Sequence, residues 1–498
     1  MDRPKEYCGV FGIYNAPNSA RLTYFGLHAL QHRGQESAGI TTLTFDENRK
    51  RWTMPHHKGF GLVLDVFTDP SVFETKLLGS CAIGHNRYST SGSADNPANI
   101  QPFVVRYRDG NLAIAHNGNL TNTRELRHRF VDQGTLFQTG TDSELVLHLI
   151  SHSLRKRQTD QIIDALNQVE GAYSMVLLTD EALVAARDPH GFRPLAIGRL
   201  GDPDQPGGAA YCVASETCAF DIIGAEYVRD VEPGEVVIID GEGCATGNFR
   251  SYYLNNHRGV HQCVFEYVYF ARPDSMVFGE MTDKVRRKIG KQLAHEAPVP
   301  EDPRGNSTIV ISVPDSSNTA TLGYVSECRK LGYNTRHEIG LIRNHYIGRT
   351  FIDPNQNARE MKVRCKFNTV RGVLNDRVVI IVDDSIVRGT TSKQLVRMIR
   401  KAGAREVHFR VTSPQVVSPC HYGMDFPSYE ELLANRFNGD IDEMTEWLGV
   451  NSLQYLSAEG LMTAVRSANS RPHGYCNACF TSNYPVEVAE LVQKEEND

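Results

Sequence analysis

Three groups of residues in this sequence have the types and spacing to do chemistry. The first is a single thiol. Seven mostly polar residues, MDRPKEY, precede Cys8, and the chain then turns apolar and Gly-rich as CGVFGIY. Either Cys8 is an ordinary buried cysteine of a first strand, or the leader is removable and Cys8 becomes a free N-terminus. The second group is RVVIIVDDSIVRGTTSKQL. Ser385, Arg388, Gly389, Thr390 and Thr391 offer hydroxyls, a glycine and backbone N–H groups beside a helix start, which is an anion cradle. Asp383 and Asp384 would be repelled by that anion, unless they hold ribose hydroxyls or a Mg²⁺ bound to phosphates. A capping loop whose aspartates favour a helix start is the plainer reading. The third group is four thiols: Cys476 and Cys479 in GYCNACF, Cys263 in CVFEYVYF and Cys420 in SPCHYG. Sets of four bind zinc or an iron–sulfur cluster, spacing does not choose between them, and a redox C-x-x-C is a further reading.

These residues need elements to hold them. Residues 8 to about 240 read as short strands between Gly/Asn turns: YCGVFGIY, CAIGHNRYST, NLAIAHNGNL, YSMVLLTD, ALVAARD and GEVVIID. That is an α+β domain with much antiparallel pairing. TGTDSELVLHLISHSL predicts a helix with Thr141 as N-cap and Glu144 closing a capping box. Past residue 260 the texture changes to solid apolar runs ending in polar loops, STIVISVPDSS, RVVIIVDDSIVRGTT and EVHFRVTSP. Such runs suit a parallel sheet buried on both faces. Val378–Val382 is its central strand, 383–391 the loop, and Gly403 ends the helix that follows. Ligands of such sheets bind at the strands' carboxyl ends. The 242–260 stretch reads as a linker.

The whole chain bounds these readings. With 498 residues it exceeds one core. A net charge of −6 carries no basic footprint for nucleic acid. No apolar stretch is long enough to span a bilayer, and the leader has no apolar core, so a cytoplasmic location is expected. Eleven cysteines, an odd number, point to metal or catalysis rather than disulfides.

Taken together, the motifs carry a resemblance. VVIIVDDSIVRGTT resembles the 5-phosphoribosyl-1-pyrophosphate (PRPP) signature of type I phosphoribosyltransferases. CGVFGIY, LQHRGQESAGI, GHNRYSTSG, AHNGNLTN and TDSE, in that order, resemble the glutamine amidotransferase domain of N-terminal-nucleophile hydrolases. Over residues 8–485 the chain resembles the amidophosphoribosyltransferase family, in its iron–sulfur, propeptide-bearing branch. The resemblance implies an αββα sandwich followed by an α/β phosphoribosyltransferase domain. It divides the chain into a propeptide 1–7, an amidotransferase domain 8–242, a transferase domain 260–460 and a C-terminal segment 461–498.

The resemblance also implies roles. Cys8, freed of MDRPKEY, is the nucleophile, with its own α-amine (pKa ~8) as base. Asn117 and Gly118 form the oxyanion hole. Arg87 pairs with the glutamine α-carboxylate, Asp142 with its α-ammonium, and Arg33 lies in the same pocket. Asp383, Asp384 and Ser385, with Arg388, Gly389, Thr390 and Thr391, hold PRPP. Lys366 of RCKFN meets the pyrophosphate. Ser317 of VPDSS joins the two aspartates at Mg²⁺, with Asp315 and Ser316 as rivals. Arg343–Ile352, including Tyr346 and Arg349, is the loop that closes over PRPP. Cys263, Cys420, Cys476 and Cys479 carry a [4Fe–4S] cluster, Zn²⁺ being the alternative. Cys81, Cys212, Cys218, Cys244, Cys328 and Cys365 read as small buried residues. The expected reaction makes 5-phosphoribosylamine, glutamate and pyrophosphate from PRPP, glutamine and water, the first committed step of de novo purine biosynthesis, with ammonia passed internally. Purine nucleotides are expected as feedback inhibitors and a homotetramer as the assembly. Two rivals are a hexosamine or asparagine synthase type of amidotransferase, which the PRPP loop disfavours, and a PRPP-sensing regulator, which the acidic charge disfavours.

Overall fold

Cys8 runs straight into the strand Gly9–Tyr14, buried along all but its last residue. The strand is enclosed because it pairs antiparallel on both sides, with Cys81–Arg87 and with Ala210–Ala214. In the computed structural model, the described residues are 8–88, 96–203, 208–255, 259–344, 365–424, 426, 428–469 and 474–486. The leader 1–7 lies outside them, as does 345–352 of the expected PRPP loop with Tyr346 and Arg349.

Among the described residues, the sheet around Gly9–Tyr14 has eight strands, and a second has six. The two face each other across one core, Val10, Ile83 and Val213 meeting Ala113, Ala115, Val176 and Val237. The alternate residues of the same strands are apolar too, so each outer face also needs cover. Leu112 and Ile114 pack on Leu145, Ile150 and Ile162 of the helices Ser143–His152 and Gln158–Leu166. Phe11 and Ile13 pack on Leu27 and Phe220 of Ser19–Ala29 and Cys218–Ile223. The result is the αββα sandwich.

The second unit is a five-stranded sheet in the order Thr335–His337, Thr308–Ser312, Val378–Asp383, Glu406–Val411, Ser452–Tyr455. All its pairings are parallel. Its solid apolar runs follow from double burial. Val310, Ile380 and Val382 meet Val285, Ile289 and Tyr324 of the helices Thr282–Glu296 and Asn318–Lys330. Ile309, Ile311, Val379 and Ile381 meet Leu395 and Ile399 of Thr390–Lys401.

Three expectations change. The 242–260 stretch is no plain linker: Gly241–Thr246 is a short helix and Arg250–Tyr253 is the edge strand of the six-stranded sheet, on Glu235–Ile239. No capping box starts the Ser143–His152 helix. Asp142 occupies the N-cap, and the Glu144 carboxylate accepts from the Gln138 and Thr139 backbone instead, at 2.7 and 2.8 Å. It braces the incoming loop rather than the helix's first turn. Cys365 is half-buried, whereas Cys81, Cys212, Cys218, Cys244 and Cys328 are buried as expected.

Candidate active sites and a thiol cavity

The first site lies at the end of the sandwich where Cys8 enters it. A cleft of about 240 Å³ is lined by Cys8, Arg87, Tyr88, Gln101, His116, Gly118, Thr141 and Asp142. Cys8 is 6% exposed, and its thiol donates to the Tyr88 carbonyl at 3.4 Å. Burial pushes the thiol up to about 11, against the pull of that hydrogen bond and of the Arg87 charge. Within this intact chain the thiol is therefore protonated at neutral pH. Arg87 ends its strand and is almost fully buried.

Asn117 and Gly118 sit near the end of the strand Gly110–Leu120. The Asn117 side chain is wholly buried, and among the described residues neither its amide nitrogen nor its amide oxygen has a hydrogen-bond partner. Buried amides are almost always satisfied, so this one stands out, although Asn117 itself is not among the residues lining the cleft. At Gly118 φ is +150°, and a Cβ would lie 2.0 Å from the Ala172 carbonyl oxygen, so no other residue fits. Asp142 is buried. Burial pushes its carboxyl up, but the His116 imidazole at 3.6 Å, the Leu120 N–H at 3.0 Å and the Ser143 hydroxyl outweigh this and hold it below the usual carboxylate range. A guanidinium and a carboxylate around a thiol suit an α-amino acid bound by both ends.

Arg33 is not in the cleft lining. It is buried behind it, its guanidinium shared between Glu216 and, at 2.6 Å, Glu266. Glu216 also accepts from His32 at 2.7 Å, the Ser275 hydroxyl at 2.6 Å and the Arg272 backbone at 2.9 Å. Glu266 also faces Arg193 at 3.4 Å. This buried charge cluster joins the two domains.

The second site is at the carboxyl end of Val378–Asp383. Asp383 and Asp384 are 3% and 1% exposed. Ser317 donates to Asp383 at 3.1 Å, Ser316 donates to Asp384, and Ser385 donates to Asp384 at 2.6 Å. Hard carboxylate and hydroxyl oxygens in such a cluster fit a Mg²⁺. Ser316 therefore meets the pair as closely as Ser317 does, while Asp315 turns to Arg343 at 2.7 Å. Gly389, with φ +77°, is the N-cap of Thr390–Lys401, and a Cβ there would come within 2.9 Å of Leu433 and Trp447. The loop thus presents backbone N–H groups at the positive end of a twelve-residue helix. Ser385 is buried, whereas Thr390 and Thr391 lie nearer solvent. The Arg388 guanidinium is bound by Glu431 at 3.2 and 3.0 Å, so its side chain faces that carboxylate. Lys366 precedes the strand Phe367–Thr369, its ammonium 5.7 Å from the Phe367 ring centre.

The four thiols converge. Cys263, Cys420, Cys476 and Cys479 line one apolar cavity of about 310 Å³ with Phe192, Arg193, Tyr422, Met424 and Tyr484. Gln262–Cys263 pairs parallel with Tyr475–Cys476, and the Val417 and Ser418 N–H groups donate to the Cys479 carbonyl. Burial pushes the Cys263 thiol up to about 11, and Cys476 and Cys479 are raised as well. Among the described residues, no three His, Cys, Asp or Glu side chains are spaced to grip a single metal ion. Four thiols on one apolar cavity are the donor set that an iron–sulfur cluster or a zinc ion takes.

Several residues had no sequence signal of their own. Gln101 and His116 line the cleft and are tied through Ser143: Gln101 donates to its hydroxyl at 3.2 Å, and His116 Nδ1 lies 3.0 Å from it. Glu216 and Glu266 were findable only as lone carboxylates inside apolar runs, ASETCAF and VFEYVYF.

Comparison with known proteins agrees with this fold. A family model for a glutamine amidotransferase domain matches residues 85–221. The chain is 45% identical over 497 residues to the chloroplastic amidophosphoribosyltransferase 2 of Arabidopsis thaliana, covering 100% of this chain and 82% of that one. It is 44% identical to the amidophosphoribosyltransferase of Bacillus subtilis (strain 168), covering 97% and 95%. Its fold matches the solved structure of a glutamine PRPP amidotransferase from B. subtilis complexed with ADP and GMP, with a TM-score of 0.85, 42% identity and 97% and 98% of the two chains covered.

Proposed function

The chain belongs to the amidophosphoribosyltransferase family, and from that premise we propose how its residues divide the work. The enzyme moves the amide nitrogen of glutamine onto PRPP, making 5-phosphoribosylamine, glutamate and pyrophosphate at the first step of purine biosynthesis. The observation that carries the division of labour is the cleft uniting Cys8 with Arg87, Gly118 and Asp142 in a chain that also holds the Asp383–Asp384 pair.

Glutamine enters with its α-carboxylate on Arg87 and its α-ammonium on Asp142. Removal of residues 1–7 frees the Cys8 α-amine, which takes the thiol proton and later gives it to the leaving nitrogen. Cys8 Sγ attacks the amide carbon. The oxyanion is met by the Asn117 amide and the Gly118 N–H. Ammonia leaves, and water cleaves the thioester to glutamate. Ammonia then travels within the protein, because in neutral water it would be protonated and lose its lone pair. It displaces pyrophosphate from C1 of PRPP, whose 5-phosphate rests on the 385–391 loop and whose ribose meets Asp383 and Asp384. Asp383, Asp384 and Ser317 would hold a Mg²⁺, which would supply neutralisation of the pyrophosphate charge. Arg388 contributes through its backbone N–H, or leaves Glu431 when the phosphate arrives. Lys366 faces the pyrophosphate, and PRPP binding raises glutaminase activity.

A [4Fe–4S] cluster fits the four thiols and would tie the C-terminal segment to the transferase domain. Zinc is the second reading of that cavity. Feedback by purine nucleotides is supported by the B. subtilis neighbour complexed with ADP and GMP. We propose a cytoplasmic homotetramer. No helix among the described residues is long and apolar enough to cross a membrane.

The test is the intact mass of protein purified without air. Under denaturing conditions, loss of the Met1–Tyr7 mass supports Cys8 as nucleophile, and a catalytically active full-length chain refutes it. Under native conditions, an increment of four irons and four sulfides supports the cluster, and a zinc-sized increment refutes it.

A further inference from the structure

Two backbone carbonyls of the second domain accept hydrogen bonds from side chains of the first. Asn119 Nδ2 reaches the His421 carbonyl at 2.9 Å, and Arg193 reaches the Tyr422 carbonyl at 2.7 Å. The first donor leads back to the cleft, the second to the buried charge cluster between the domains. Asn119 follows Asn117 and Gly118 on one strand, and residues two apart leave the same face of a sheet. Arg193 shares Glu266 with Arg33. Phe192 stacks on Tyr422 with ring centres 4.3 Å apart. On the other side, His421 and Tyr422 directly follow Cys420, a wall of the thiol cavity, and the Tyr422 N–H donates to its sulfur at 3.4 Å.

We propose that the 420–422 segment supports the oxyanion site, with Asn119 as the positioning residue that hangs the end of the Gly110–Leu120 strand on the second domain. This rests on reading Asn117 and Gly118 as the oxyanion hole. Beyond Gly118 the strand is held by its pairing with Ala172 and Gly171, by the Leu120 N–H on Asp142 at 3.0 Å and by the Thr121 N–H on the Glu170 carbonyl at 2.8 Å, and the Asn119 bond to His421 is the contact in this stretch that reaches the second domain. An oxyanion donor is effective only when fixed about 2.7–3.1 Å from the developing charge, so a small drift of the strand end weakens it. That interaction exists only in the transition state, so its loss appears in kcat rather than KM. The thiol cavity and the glutaminase cleft thereby share one support.

The experiment uses the processed, full-length holoenzyme. Asn119→Asp keeps the shape but sets a carboxylate oxygen against the His421 carbonyl, and Asn119→Ala removes the donor without adding charge. Asn117→Ala is the benchmark for the oxyanion reading itself. Glutamate release from glutamine, pyrophosphate release driven by added ammonium, and the thermal midpoint are measured for each. Both Asn119 variants are expected to lower glutaminase kcat about tenfold, less than the loss of a direct donor, with KM for glutamine and the ammonium-driven reaction unchanged. Unchanged kcat in both, or an equal loss in both reactions, overturns the proposal. An Asn117→Ala enzyme with full kcat overturns the oxyanion reading instead.

Discussion

A chain that retains residues ahead of Cys8 should hold an inert thiol, and one that begins at Cys8 should not. The structure sets the size of the difference. Cys8 is 6% exposed, its thiol meets a single carbonyl at 3.4 Å, and burial pushes it up to about 11. At pH 8 about one such thiol in a thousand is thiolate, against about a quarter of an ordinary cysteine at 8.5. Alkylation, which needs the thiolate, should then run about two-hundredfold slower at that pH. Its rate should climb tenfold per pH unit to beyond pH 10. Once the chain starts at Cys8, the α-amine (pKa ~8) accepts the proton and the profile should level near pH 8. The assay is iodoacetamide labelling of the Cys8 peptide, read by mass spectrometry from pH 6.5 to 10.5. One chain carries an uncleavable extension ahead of Cys8, and the other begins Met-Cys and is trimmed. Burial slows both chains alike, so the readout is the profile's shape. A plateau near pH 8 in the extended chain would refute the reasoning, because the thiol would then be activated by its surroundings and not by a free amine.

Other predictions concern single side chains. Asp142→Asn removes the charge facing the α-ammonium and should raise KM for glutamine about 10- to 100-fold, the worth of a charged hydrogen bond, with ammonium-driven synthesis unchanged. Gly389→Ala must hold φ near +77° and press a Cβ to 2.9 Å from Leu433 and Trp447, so KM for PRPP should rise and the thermal midpoint fall. Burial pushes the Glu216 carboxyl up, but the Arg33 and His32 charges and the hydrogen bonds from His32 and Ser275 hold it far below its usual range. Because the folded value is depressed, the stability Glu216 contributes is complete above its unfolded value of ~4.3 and drains away as pH falls toward the folded one. Glu216→Gln should cost about 3–5 kcal/mol in denaturant titrations at pH 7, and should flatten the loss below pH 4.

The strands and the PRPP loop were legible because their signals are local. Gly/Asn turns set off the short strands of the first domain, solid apolar runs mark the doubly covered sheet, and a short string carries two aspartates, a glycine and hydroxyls in one turn. The four thiols could be picked out only by family context, since nothing in the spacing of residues 263, 420, 476 and 479 brings them together. Their cavity depends on the parallel pairing of Gln262–Cys263 with Tyr475–Cys476 across two hundred residues. Thr141 and Glu144 have the spacing of a capping box, yet Glu144 found better donors in the preceding loop, where two backbone N–H groups were unclaimed. Arg33 shows the same limit. Its motif resembles a pocket residue, but the carboxylates that draw it behind the cleft, Glu216 and Glu266, lie more than 180 residues away.

The central claim is that Cys8 liberates ammonia which the Asp383–Asp384 site consumes within the same chain. It is tested most directly by measuring glutamate and pyrophosphate together, with and without PRPP, in the processed enzyme and in Cys8→Ala. The account predicts equal amounts of the two products from the unaltered enzyme and little glutamate when PRPP is withheld. It predicts no glutamine-driven pyrophosphate from Cys8→Ala, but full pyrophosphate release when ammonium is supplied at high pH. Glutamine-driven pyrophosphate from Cys8→Ala, or glutamate formed at the same rate without PRPP, would contradict it.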